Sequence, residues 1–174
     1  ATVFSVDLVA AAAEIAFDAW KTASPDIIHR PLIEALEATE RPLILSTGAA
    51  TLDEVERAVA WLDASRPHLA LLQCVSAYPT PPEHAALEGI DALRRTFADL
   101  AIGYSDHTTG TQTGADAVAR GAVILEKHFT YSTRAAGPDH AASLDPPAFR
   151  RYADAARARW EADPVSPPPA TGAR

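Results

Sequence analysis

Pro42-Leu43-Ile44-Leu45-Ser46-Thr47-Gly48, followed by Thr51-Leu52-Asp53-Glu54, is the stretch on which the fold turns. An unbroken apolar run closed by hydroxyls and a glycine reads as a short strand buried on both faces, as in a parallel sheet. Thr51 and Glu54 then have capping-box spacing, in which a hydroxyl caps the helix start and a carboxylate reaches back three residues later. The same order of strand, polar end and helix recurs at Lys21-Thr22-Ala23-Ser24, Gln73-Cys74-Val75-Ser76-Ala77-Tyr78-Pro79, Gly103-Tyr104-Ser105-Asp106-His107 and Glu126-Lys127-His128-Phe129-Thr130. Repeated βα units with short connections predict an α/β fold with a parallel sheet. The rhythm is that of a TIM (β/α)8 barrel, whose chemistry gathers at the C-terminal ends of its strands.

Outward from these runs, the pattern predicts a strand tail over 1–5, a helix over 6–15 and a strand over 17–22. Further helices are expected over 31–40, from Thr51 to about Ser65, over 87–100, 112–119 and 149–160. Strands are expected over 69–72, 101–104 and 122–125. Residues 1–160 read as one domain, and 161–174, rich in proline, as an extended or disordered tail.

The 174 residues are enough to build a real core, and a hydrophobic fraction of 48% excludes wholesale disorder. No apolar run approaches the roughly 20 residues of a membrane helix. A net charge of −8 argues against nucleic-acid partners but leaves room for a small anionic substrate, because charge at a site can oppose the global sign. The one cysteine, Cys74, cannot form an internal disulfide, which fits a reducing cytoplasm. The chain opens on Ala1 and contains no methionine, so it is expected to be part of a longer protein.

His107 and His128 follow consecutive strands at equivalent places, where two imidazoles would share one divalent cation such as Mn²⁺, Zn²⁺ or Fe²⁺. The alternative is a pair of ordinary rim histidines, and spacing leaves both open. His29, His68 and His84 fall on helix or loop stretches and read as surface, while His140 is open. Lys21, Ser24, Ser46, Ser105 and Thr2 supply an ammonium and strand-end hydroxyls, the makings of an anion cradle. Any single serine here is as well explained as a helix cap. Asp26, Asp106, Glu126 and Asp139 read as carboxylates at the same rim, able to orient hydroxyls or move protons. Cys74 has no activating neighbour in sequence and reads as a small buried residue.

These motifs, together with Gly137-Pro138-Asp139-His140, resemble the sialic acid synthase family, from about Thr2 to Ser143-Leu144-Asp145-Pro146 and in order. The family includes N-acetylneuraminate, legionaminate and pseudaminate synthases and spore-coat polysaccharide relatives. The resemblance implies a (β/α)8 barrel followed by a small antifreeze-like domain. The implied reaction condenses phosphoenolpyruvate with an N-acyl mannosamine or similar aldose to a nonulosonic acid plus phosphate. It implies His107 and His128 as ligands of a divalent metal, Mn²⁺ with Mg²⁺ or Co²⁺ as alternatives. Thr2, Lys21, Ser24, Ser46 and Ser105 would bind phosphoenolpyruvate, and Asp26, Ser76, Tyr78 and Asp139 the sugar. His107, His128, Glu126 and Asp139 would carry the chemistry, and the intact protein would be a cytoplasmic homo-oligomer.

The sequence departs from the family at Gln73 (usually His), Ser76 (often Asn), Pro25-Asp26 (usually Gly-Glu) and Tyr131-Ser132 (commonly Asp-Arg). These changes bear on the sugar more than on the reaction. A complete barrel needs about 200 residues or more, and the runs here resemble its fourth to eighth strands, with the first strands and the antifreeze-like domain absent. The absent front would hold a glutamate near the sugar and a second phosphoenolpyruvate-binding lysine. One rival is a non-catalytic remnant, or a subunit that completes its barrel with another chain. Another is a 3-deoxy sugar acid synthase on the same barrel, which the Ser105-Asp106-His107 and Glu126-Lys127-His128 pair disfavours. With part of the anion cradle missing, the isolated chain is expected to be inactive or poorly folded. Synthase turnover by this polypeptide alone, followed as phosphate release, would overturn that expectation.

Overall fold

The computed structural model describes residues 1–62 and 65–164. Five parallel strands form one sheet: β1 (Trp20–Thr22), β2 (Leu43–Ser46), β3 (Leu69–Cys74), β4 (Ala101–Asp106) and β5 (Ile124–Lys127). They lie side by side in chain order. Helices alternate with them: α1 (Val9–Ala13), α2 (Arg30–Glu37), α3 (Leu52–Ala60), α4 (Glu88–Thr96), α5 (Thr113–Ala119) and α6 (Pro146–Ala162).

A parallel crossover is right-handed in nearly all sheets, so strands added always on the same side carry every helix on the same face. The core confirms this. Leu43, Leu45, Leu69, Leu71, Ile102 and Tyr104 form one buried cluster with helix residues such as Ile33, Leu36, Val59 and Ile90. Because strand side chains alternate, the positions between them face the other way: Lys21, Ile44, Ser46, Leu72, Cys74, Gly103, Ser105 and Glu126. Gly103 lets this face close up. A Cβ there would stand 2.5 Å from the Ile124 carbonyl oxygen and 2.5 Å from Leu72 Cδ2.

Helix boundaries follow from caps. The Thr51–Glu54 capping box forms in full at the start of α3. Asp145 caps α6, its Oδ1 accepting the Ala148 N–H at 3.0 Å, with Pro146 at the first helical position. That helix therefore begins three residues before the predicted Phe149 and runs on through Ala162, so the tail does not start at 161. The rest of the predicted tail, 165–174, lies outside the described residues. Gly121, at φ 94°, ends α5 in a Schellman turn: its N–H bonds Val118 O and the Ala122 N–H bonds Ala117 O. Ala122 is thereby committed to the turn, which is why β5 begins at Ile124 rather than at Ala122.

Other expectations shift too. α3 ends at Ala60, short of Ser65. The helix expected over 6–15 is a 3₁₀ turn, Val6–Leu8, leading into the single short helix α1. Residues 1–5 form no strand, although Ala1 is tied to the β1 edge by Lys21 N–H donating to Ala1 O at 2.8 Å. Among the described residues no helix is long and apolar enough to cross a membrane.

Gly103→Ala is expected to destabilise the fold by about 1–3 kcal/mol, because the added methyl meets backbone on the neighbouring strand. Urea unfolding followed by tryptophan fluorescence measures this, and an unchanged midpoint would contradict the close approach.

Candidate functional site

The face opposite the helices opens into a cavity of about 270 Å³ at the C-terminal ends of the strands. Every strand contributes: Lys21 from β1, Ser46 from β2, Cys74 from β3, Ser105 from β4 and Glu126 from β5. His107 and His128 sit one residue beyond the ends of β4 and β5. Thr2, Phe4, Ala23, Ser24, Pro25 and Tyr78 complete the wall.

Lys21 is the centre of the cavity's charge. Its Nζ donates to Ser46 Oγ at 2.7 Å and to Thr22 O at 2.8 Å, and lies 3.3 Å from Glu126 Oε2. Glu126 is 42% exposed, so this ion pair is partly hydrated and open to exchange with an incoming anion. Ser24 Oγ accepts the Gly48 N–H at 3.1 Å, which places it beside Cys74 Sγ at 3.6 Å. Lys21, Ser24, Ser46 and Ser105 thus converge as the predicted cradle requires.

The two histidines face each other edge to face, ring centroids 5.4 Å apart, and Tyr78 lies against both, at 4.1 Å from His107 and 5.7 Å from His128. His107 Nδ1 is 2.7 Å from Val75 O. A carbonyl only accepts, so Nδ1 carries the proton and Nε2 keeps the lone pair that a metal or a substrate proton would need. Among the described residues no group of three or more His, Cys, Asp and Glu converges as a metal cluster. The two imidazoles of His107 and His128 are the ring-nitrogen donors that reach the cavity.

The structure separates the other predicted residues from this wall. Asp106 points away from the cavity. Alternation along β4 puts Ser105 inward and Asp106 outward, where it is 1% exposed and paired with Lys127 at 3.1 Å. Asp26, Ser76 and Asp139 are not among the lining residues. Ser76 and Asp139 are exposed on loops, and Asp26 sits in the 3₁₀ turn after β1 with its Oδ2 enclosed and unpartnered. Asp139 is still close enough for its charge to add to the burial that pushes the Tyr78 hydroxyl's pKa up. His140 is held by Thr130 Oγ1 at 2.7 Å, away from the cavity. Gln73 also faces the helices, donating to Ala86 O at 3.1 Å, so its departure from the family pattern does not touch the cavity.

Cys74 is buried as the sequence reading expected, and it also lines the cavity, which that reading did not anticipate. Its thiol stands 3.6 Å from His107 Nδ1 and contacts Ser24. The available signal was phase, since Leu72 and Cys74 share a face with Ser46 and Ser105 across the register.

The sequence profile of the NeuB family matches residues 1–164. The chain belongs to the NeuB family. It is 38% identical over 148 residues to an N,N'-diacetyllegionaminic acid synthase of Campylobacter jejuni, covering 83% of this chain and 44% of that protein. Among solved structures it resembles the spore coat polysaccharide biosynthesis protein SpsE of Bacillus subtilis, with a TM-score of 0.88 and 31% identity. That match covers 95% of this chain and 48% of the other. An N-acetylneuraminic acid synthetase of Leptospira borgpetersenii, solved with citrate, matches at TM-score 0.86 and 34% identity, over 95% and 58%. The chain spans less than half the length of the curated synthase it matches.

Burial pushes the Cys74 pKa up, against smaller opposing effects from Ser24, Ser105 and Lys21. A raised thiol pKa means less thiolate at neutral pH. Iodoacetamide is therefore expected to label Cys74 more slowly in the folded chain than in urea, because burial both lowers the thiolate fraction and blocks access to the sulfur. Equal rates, read by mass spectrometry, would contradict the buried thiol.

Proposed function

We propose that this protein condenses phosphoenolpyruvate with an N-acyl mannosamine-type aldose, giving a nonulosonic acid and phosphate. The observation that carries the reading is convergence. Lys21, Ser46, Ser105 and Glu126 from four strands, His107 and His128 just past two of them, and Thr2, Ser24 and Tyr78 from adjoining segments line one cavity. Family membership and the named synthases among its relatives support the reaction class.

Lys21 and the Ser24, Ser46 and Ser105 hydroxyls bind the phosphoenolpyruvate anion, with Thr2 at the cavity's outer wall. The anion competes with Glu126 for Lys21, because both want the same ammonium. Its arrival frees the Glu126 carboxylate to handle a proton within the same cavity. Tyr78, its ring tilted against both imidazoles, forms the wall against which the aldose lies, with Asp26, Ser76 and Asp139 supplied from the surrounding turn and loops. Bond formation joins C3 of phosphoenolpyruvate to the aldehyde carbon, the aldehyde oxygen takes up a proton, water adds at C2, and phosphate leaves.

The residues fit a divalent cation, Mn²⁺ with Mg²⁺ or Co²⁺ as alternatives. The Val75 carbonyl fixes the His107 tautomer that leaves Nε2 free, and His128 shares the cavity at the next strand end. When bound, the cation supplies Lewis acidity to the aldehyde oxygen.

Calorimetry on the purified chain tests this. Mn²⁺ is expected to bind wild type and to fail on His107→Ala/His128→Ala. Lys21→Met is expected to weaken phosphoenolpyruvate roughly 10–100-fold, the value of a charge-assisted hydrogen bond. A folded wild-type chain that binds neither would refute the proposal.

A further inference from the structure

The helix-side faces of β4 and β5 hold an ion pair that no step of the proposed reaction uses. Asp106 and Lys127 are register partners, 3.1 Å apart, with side chains 0% and 1% exposed. Each is the last residue of its strand, and each is followed at once by a cavity histidine. His107 and His128 therefore stand where the β4–β5 register ends, and the backbone bonds their carbonyls accept, from the Thr80 N–H at 2.9 Å and the Leu144 N–H at 3.0 Å, run to other segments rather than between the two histidines.

The pair reaches past that end. Asp106 Oδ1 accepts the Thr108 N–H at 2.8 Å. Lys127 Nζ donates to the Thr108 carbonyl oxygen and reaches its hydroxyl. Residues on both sides of His107 are thus tied to the residue that precedes His128. The Thr108 hydroxyl is held in turn by Thr113 Oγ1 at 3.0 Å, on α5. Tyr152, on α6, closes the group from outside: its ring lies 5.4 Å from Lys127 Nζ, and Gly114 has no side chain because the ring occupies that space.

Stability alone is a poor account of such a pair. Burying two charges costs about what their attraction returns, and apolar replacements of whole pairs are often neutral. What the geometry does supply is a fixed offset between two strand ends. We propose that Asp106 and Lys127 are positioning residues, a clamp that holds His107 and His128 at the spacing one divalent cation requires. The inference rests on the reading of the two histidines as a metal pair.

The test compares wild type with Asp106→Asn/Lys127→Met, which removes both charges together while the introduced side-chain amide keeps an oxygen to accept the Thr108 N–H. Thermal melts by circular dichroism establish folding. Proton–nitrogen correlation spectra of histidine-labelled, metal-free protein read the His107 tautomer, which the Val75 bond holds as Nδ1–H in wild type. The folded variant is expected to lose that tautomer preference and to bind Mn²⁺ about 10–100-fold more weakly, as groups orienting metal ligands do when removed. A folded variant with the wild-type tautomer and wild-type Mn²⁺ affinity overturns the proposal. If the double variant does not fold, Asp106→Glu, which keeps both charges but moves the carboxylate by one methylene, is read in the same two ways, with the same changes expected and the same result overturning it. Failure of the wild-type chain to bind Mn²⁺ counts against the metal reading, and the tautomer comparison then decides the clamp.

Discussion

Five parallel strands lie next to one another in chain order, and everything else in this molecule follows from that constraint. Sequential right-handed crossovers place all the helices on one face. The other face is then free of helices, and every strand end delivers one side chain to it. Cys74 pairs in register with Ser105, and Ser105 with Glu126, so three strands present their cavity groups at one level. The loop residue Tyr78 and the N-terminal Thr2 and Phe4 then close the wall around that set. The site is a by-product of register, which is why groups as far apart in sequence as Lys21 and His128 share one wall.

Two ion pairs on opposite faces of this sheet show how burial divides the work. Lys21–Glu126 faces the cavity with exposures of 18% and 42%, and water screens it. Such pairs are worth about 0–1 kcal/mol, so an anionic ligand can replace one partner at little cost. Asp106–Lys127 is sealed between the sheet and α5 and α6. Burial lowers the Lys127 pKa while Asp106 opposes the change. Removing one member of a sealed pair typically costs about 3–5 kcal/mol, because the other charge is left without compensation. The exposed pair suits exchange and the buried pair suits geometry.

What was legible in the sequence was whatever has a period. Strand runs such as Leu43–Leu45 and helix faces such as Ile90, Leu93 and Phe97 are buried as their spacing requires. The histidines and most of the hydroxyl set could be placed because they sit at or near a strand end: Ser46 ends β2, Ser105 is the second-last residue of β4, and His107 and His128 directly follow β4 and β5. What failed was phase. Asp106 lies between two cavity residues, and a one-residue step on a strand reverses direction. Gln73, one step from Cys74, is turned to the helices for the same reason. Ser76, Asp139 and Asp26 sit on loops and a 3₁₀ turn, where no period tells inward from outward. The start of α6 was readable from Asp145-Pro146, a cap followed by a first-turn proline, and the apolar pattern alone placed it too late.

The chain's net charge of −8 is compatible with the proposed anion site because the charge lining the cavity differs from that of the surface. Lys21 is there, paired with the single carboxylate of Glu126, so the charged side chains of the lining cancel rather than add to the surface's negative charge. Asp106, the nearest further acid on β4, is turned to the far face and neutralised by Lys127. Asp139, which would add a negative charge at the mouth, stands outside the wall on an exposed loop. Screening in water limits exposed surface acids to about 10 Å at ordinary ionic strength, while groups lining a partly enclosed cavity are screened less. Surface acids beyond that range are therefore screened, and near the strand ends the nearest charges are Lys21 and its partner Glu126. The same turn of a single side chain on β4 keeps a carboxylate out of the cradle and gives the sheet its clamp.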